Sequence, residues 1–413
     1  MDYTLSIAIP LSRTEELSLD LAKITSQVSN MIARLRDTGE ERQQRLRRAL
    51  DIISNEVIDL DELRRKIATS KTSWLVAELV EGLANHYATP PIPPEFTVMA
   101  TDGSHIDVDR HRTTRCYLIN IGSVKIDYGS EPAANLDSFP HLYSSDEDLV
   151  ITPPGIAGRD QMVEGTLLGI KRGVEECRHL VKPASELPQG SVSLALLDGT
   201  LILWGLEAYP DFVTDELLVR GFLSCLDDLR KFNKDRKLAL ASYISFPRST
   251  DVVNVLRLAI CPHQPADCDR FCPTNRDCDV VAGVRDRDLF FHLLSDGERS
   301  ALFISPSKIV KKYYGSNQIY FFYVKLADEV ARVEIPEWVA ADSSLLDLTH
   351  ALVLDQCRRG HGYPVVLSEA HEQAVVTAAD RENFWQMVES SLVEEKLPTL
   401  GSAKSFSKRT RWV

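Results

Sequence analysis

Two kinds of apolar spacing divide the chain. Over the first ninety residues Ile24, Val28, Met31 and Leu35 recur at helical spacing, as do Leu46, Leu50, Ile53 and Val57, with Asp37-Thr38-Gly39 between them. This predicts an antiparallel helical hairpin with Glu and Arg outside, a packing or dimerisation arm spanning 1–90. The run Thr89-Pro90-Pro91-Ile92-Pro93-Pro94 stiffens and ends it. Beyond the prolines, short apolar runs alternate with helical periodicity. Strands are predicted at 96–102, 116–122 and, after a break at Gly122, 124–128. A polar, Ser- and Pro-containing loop fills 129–154. A helix over 160–181 buries Val163, Leu167, Ile170, Val174, Cys177 and Val181. Strands follow at 192–198, 238–245 and 301–305, an antiparallel pair at 319–326 and 330–335, and helices at 212–229, 251–260, 289–294, 343–357, 369–376 and 381–392. The alternation predicts an α/β fold on a mixed sheet flanked by helices.

Composition changes this picture little. The chain has 413 residues, 44% hydrophobic and 26% charged, ordinary for a globular protein with a sizeable core. No apolar run approaches the length of a membrane span, and Met1-Asp2-Tyr3-Thr4 lacks the basic start of a secretory signal, so a cytoplasmic protein is expected. The net charge of −13 argues against non-specific coating of nucleic acid but leaves room for a local basic groove. Such a groove has candidates in Arg248, after Tyr243-Ile244-Ser245-Phe246-Pro247, and in the basic tail 401–413, where Lys404, Lys408 and Arg409 interleave with Phe406 and Trp412.

The chemistry is concentrated in a repeated pattern. Phe96-Thr97-Val98-Met99-Ala100-Thr101 runs into Asp102-Gly103-Ser104, and Val192-Ser193-Leu194-Ala195-Leu196-Leu197 runs into Asp198-Gly199-Thr200. An Asp-Gly pair alone is ordinary turn chemistry. Two such pairs, each delivered by an apolar strand, predict two carboxylates at one end of one sheet. Their repulsion is relieved by a cation or a proton. Hard oxygen ligands suit Mg²⁺ or Mn²⁺, and a pair of such ions is the arrangement of two-metal phosphoryl transfer. Glu175 or Glu176, on the intervening helix, is the expected third carboxylate; periodicity does not choose between them.

Together with Gly362-Tyr363-Pro364-Val365-Val366-Leu367-Ser368-Glu369-Ala370-His371, these segments resemble the NurA-type nucleases. The resemblance frames the chain from about residue 96 onward, a nuclease domain over 96–400. It implies a ribonuclease H-like domain and a Mn²⁺- or Mg²⁺-dependent nuclease of single-stranded DNA and DNA ends. It further implies a homodimer that docks on a HerA-type hexameric ATPase. By motif it assigns Asp102, Asp198 and Glu175 or Glu176 as metal ligands, and adds Tyr363 and His371. A Tyr hydroxyl can hold a phosphate oxygen, and a His can orient water or protonate a leaving group. Taken alone, His371 would read as a capping or core histidine. The chain has no phosphate-binding Gly-x4-Gly-Lys-Ser/Thr loop, so a motor would come from the partner. The alternative reading is a non-catalytic subunit bridging DNA to the ATPase.

Cys261, Cys268, Cys272 and Cys278 fall in one short stretch, an insertion over 261–278 that the resemblance does not supply. Their density predicts a second metal centre, either Zn²⁺ or an iron–sulfur cluster, although no Cys-x2-Cys is present.

Overall fold

The computed structural model describes residues 21–54, 59–109, 114–155, 159–272, 274 and 276–397. The N-terminal arm is one long helix, α1 (Leu21–Ile53), followed by α2 (Leu60–Thr69), whose N-terminus is capped by Asp59. The expected break at Asp37-Thr38-Gly39 does not occur. Helix α1 runs through Gly39, because one glycine costs only about 1 kcal/mol in a helix and nothing there stops the hydrogen-bond ladder. Val57 lies outside the described residues. The helical reading also ends at Thr69: Glu78–Leu79 and His86–Tyr87 are short strands that join the edge of the main sheet.

The sheet begins as a meander. β1 (Phe96–Ile106) is antiparallel to β2 (Tyr117–Tyr128), which is antiparallel to β3 (Ala133–Tyr143). Two expectations fail here. β2 passes through Gly122 unbroken, and much of the supposed loop 129–154 is β3. The strand was illegible because its residues from Ala133 to Leu142 are all exposed, so no face alternates apolar with polar. After α3 (Thr166–Ser185), β4 (Val192–Asp198) pairs in parallel with β1 and with β5 (Lys237–Ile244). These central strands are covered on both faces, so they read as nearly continuous apolar runs. The antiparallel pair β6 (Ile319–Leu326) and β7 (Glu329–Pro336) extends the sheet through β7 on β5. The long strands run in the order β6-β7-β5-β4-β1-β2-β3, a mixed α/β sheet as expected.

Helices cover it. α4 (Asp251–Ala259) packs with α1 and α2 in a core of its own, whereas α5 (Ser343–Arg359) and α6 (Val365–Ala374) join α3 around the central strands; α7 (Ala378–Glu394) follows. A buried ion network lies under β7. Arg332 reaches Asp251 at 2.9 Å and Glu334 at 3.0 Å, and Glu334 accepts from Thr200 Oγ1 at 2.7 Å and the Leu201 amide at 2.9 Å. The loop after Asp198 is thereby tied to the interior. No described helix is long and apolar enough to cross a membrane.

Candidate active site

Register brings the two aspartates together. β1 and β4 pair in parallel up to Thr101 opposite Leu197, so the next residue on each strand is an aspartate. Adjacent strands lie about 4.8 Å apart. The two Asp-Gly pairs then behave differently. Gly199 takes a φ of +82° and turns the chain, which ends β4. Gly103 stays in the strand, and β1 continues to Ile106. The expected turn at Asp102-Gly103 is absent because β2 pairs along the whole of β1. A notch results where β4 stops and β1 runs on.

Side chains alternate across β1 at this notch. On one face Thr101 Oγ1 donates to the Glu176 carbonyl at 2.8 Å, and a Cβ at Gly103 would lie 2.7 Å from Glu176 Oε1. Gly103 is therefore the gap that admits the Glu176 carboxylate. On the other face the Asp102 carboxylate meets His371 Nδ1 at 2.7 Å, and Ser104 Oγ donates to the Ala374 carbonyl. Helix α6 can come this close because Gly122, opposite Asp102 in the register, has no side chain. A Cβ there would run into the Ala370 carbonyl and the Ala374 amide. Asn120 Nδ2 secures the helix end through the Ala374 carbonyl at 3.0 Å. Tyr363, in the tight Gly360–Pro364 connection before α6, donates its hydroxyl to Asp198 Oδ1 at 2.9 Å, and its ring stands edge-on to Tyr243 at 5.6 Å.

The electrostatics follow from this crowding of carboxylates. Burial pushes the Glu176 carboxyl up to about 7; Arg172 opposes the rise, and Asp102 and Asp198 add to it. Arg172 Nε stands 3.0 Å from Glu176 Oε1, but the N–H is not aimed at that oxygen, and both atoms are buried without a hydrogen-bond partner. Asp198 is open to solvent at the strand end, yet displaced water raises its carboxyl above the usual range; the Tyr363 hydroxyl holds it down and Asp102 pushes it up. The Tyr363 hydroxyl is raised far above its ordinary value, first by burial and then by Asp198, so it remains a donor. His371 is 64% exposed. With Nδ1 hydrogen-bonded to Asp102, its Nε2 is the nitrogen left for anything outside the protein.

The structure separates the two glutamates that periodicity could not. Glu176 is the one that Asp102 and Asp198 act on, both raising its carboxyl. Glu175 is buried on another side of α3, paired with Arg178 at 2.7 Å. It lines a cleft of about 950 Å³ together with Tyr143, Lys171 and His179. Sequence reasoning missed Arg172, His105 and Gly122. Arg172 was legible in principle from its i, i+4 spacing to Glu176. His105, whose Nδ1 is buried without a partner and whose ring is held below the usual histidine range by burial and Arg172, gave no signal. Arg248 is exposed in the segment after β5, at the same sheet end as Asp198. Lys404, Lys408 and Arg409 lie outside the described residues.

The four clustered cysteines are free thiols, Cys268 and Cys278 buried, Cys261 and Cys272 half-buried. Cys261, Cys272 and Cys278 are all near enough to act electrostatically on the Cys268 thiol, which burial raises. Among the described residues, no three Cys, His, Asp or Glu side chains are gathered closely enough to hold a metal ion, here or around Asp102.

The family model described as NurA domain matches residues 96–376, well over half of the chain. No curated protein matches. Among solved structures, the prototype foamy virus protease–reverse transcriptase is similar at 16% identity with a TM-score of 0.20; the match covers 37% of this chain and 18% of the viral one. The chain therefore spans less than a fifth of that structure's length.

Proposed function

Since the chain belongs to the NurA domain family, a family of nucleases, we propose that it is a metal-dependent deoxyribonuclease acting on single strands and DNA ends. One observation carries the reading. Asp102, Glu176, Asp198 and the Tyr363–His371 segment come from four separate parts of the chain to the end of the sheet where β4 stops, Asp102 paired with His371 and Asp198 with Tyr363. The upward shifts of Glu176 and Asp198 support the reading: a hard cation would relieve the repulsion among these carboxylates, which in this structure are not gathered closely enough to hold one and have only Arg172 beside Glu176. Mn²⁺ or Mg²⁺ held by Asp102, Asp198 and Glu176 would polarise the phosphodiester and acidify a bound water.

The remaining work falls to side chains. Asp102 fixes the orientation of His371, which presents Nε2 outward to orient water or to protonate a leaving oxygen. Tyr363 holds Asp198 in place and keeps its proton as a donor. The Thr200–Glu334 and Leu201–Glu334 contacts keep the loop behind Asp198 from moving. A homodimer and a HerA-type hexameric ATPase are the partners this family membership suggests.

The test is degradation of end-labelled single-stranded DNA with Mn²⁺, with Mg²⁺ and with EDTA, beside Asp198→Ala. Cleavage that requires metal and disappears in the variant is expected. Full cleavage in EDTA or by the variant refutes the site. Binding to DNA without cleavage under any condition, ATPase partner included, favours a bridging subunit.

A further inference from the structure

Phe246, near this sheet end, has a conformation that works against its own chemistry. Its backbone sits at a φ of +49°, a region that a bulky side chain rarely adopts. The residue is 61% exposed and belongs to none of the hydrophobic cores. An apolar ring held outward by a costly backbone normally means that the surrounding structure enforces the pose, and such poses concentrate at functional sites. Three contacts enforce this one. The Phe246 amide donates to Glu329 Oε1 at 2.6 Å, the Phe246 carbonyl accepts from Arg287 at 3.0 Å, and the Arg287 guanidinium lies over one face of the ring at 3.4 Å. Arg287 is itself only 11% exposed, so the clamp is built in rather than a passing surface contact.

The location has a consequence. Asp198 is opposite Tyr243 in the parallel register of β4 and β5, and Phe246 lies in the bend two residues after β5 ends, at the same end of the sheet as the aspartate. Ligands of open α/β sheets sit outside the carboxyl ends of the strands. The surroundings are basic: Arg42, Arg248 and Arg285 all act on the Arg287 guanidinium, with Asp288 and Glu329 the opposing carboxylates. A fixed, exposed aromatic face among arginines is how proteins hold single-stranded nucleic acid without reading its sequence. Resting on the nuclease reading, we propose that Phe246 is a stacking platform for one nucleobase of the strand entering the Asp102–Asp198 notch, with Arg248 contacting an adjoining phosphate.

The test measures binding of a fluorescein-labelled oligo-dT to the full-length protein by anisotropy in EDTA, so that cleavage plays no part. Phe246→Ala and Phe246→Leu are both expected to weaken binding about 5- to 140-fold, the range that loss of one base–aromatic stack gives, and Phe246→Trp to restore it. Leucine keeps the apolar bulk and loses the π face, so its failure to rescue separates stacking from loop packing. Arg248→Ala is expected to lower the slope of log K against log salt by about 1. Binding by Phe246→Leu equal to wild type overturns the platform. The two readings fail separately. Metal-dependent cleavage with Phe246-independent binding removes only the platform. Phe246-dependent binding with no metal-dependent cleavage removes only the nuclease assignment.

Discussion

Replacing Glu176 with Gln tests the electrostatics of the site without needing activity. Gln keeps the shape and removes the charge. In the metal-free protein, burial and the neighbouring aspartates raise the Glu176 carboxyl from 4.5 to about 7. A carboxyl raised in the folded state binds its proton more tightly there than in the unfolded chain. Its contribution is therefore fully present below about pH 4.5 and is lost as pH rises toward 7. Each pKa unit corresponds to 1.36 kcal/mol, so the loss comes to about 3 kcal/mol, and the 12% exposure of the side chain leaves little solvent to screen it. Wild type and Glu176→Gln should be nearly equal in stability at pH 4.5, and the variant should be more stable by about 3 kcal/mol at pH 8. Urea denaturation in EDTA across that range measures both. The comparison isolates Glu176, because groups such as the buried Asp286, also raised to about 6, are common to both proteins. Mn²⁺ supplies the second arm. At a hundred times its dissociation constant, an ion bound only by the folded state adds about 2.7 kcal/mol, and this gain should grow with pH in wild type and collapse in the variant. Parallel stability curves for the two proteins from pH 4.5 to 8 would mean that the Glu176 carboxyl is not raised in the folded protein.

Other consequences are checked more simply. Gly122→Ala puts a methyl group into the backbone of α6; a stability loss of about 1–3 kcal/mol and a sharp fall in cleavage are expected, read by thermal melts and the end-label assay. Arg332→Ala leaves Asp251 and Glu334 buried without their partner, which should cost about 3–5 kcal/mol in denaturant titrations. Metal analysis of the purified protein tests the cysteine stretch: bound zinc, or iron with labile sulfide, that falls away in Cys268→Ala would require the thiols to close further than they do here, and a metal-free wild-type protein would remove the second centre.

The sequence showed more of the site than of the scaffold that builds it. Asp102 and Asp198 were legible because each ends an apolar run, and β6 and β7 because their runs are flanked by turn residues. Tyr363 and His371 were legible only through family resemblance; nothing in their own surroundings separates them from packing residues. What stayed hidden has a physical cause in each case. β3 carries no buried face and so has no pattern. Gly39 and Gly122 look like chain breaks, although one lies within a helix and the other within a strand. Choosing Glu176 over Glu175 needed the angle at which α3 meets β1, which helical periodicity alone does not specify. His105 carries no pattern at all, and Arg172 shows only through its i, i+4 spacing to Glu176.

Gly122 also makes strand pairing a ruler for the chemistry. His371 reaches Asp102 because the residue across the β1–β2 ladder from that aspartate is the one place where α6 can touch bare backbone. Slipping β2 by a single residue would put Ile121 or Ser123 opposite Asp102 and under the helix. One inserted residue in the β1–β2 connection would leave the pairing free to be corrected, whereas one inserted within β2 ahead of Gly122 would misalign histidine and aspartate in an otherwise well-paired sheet. Tolerance to insertion along this hairpin should thus map the boundary between what folds and what functions.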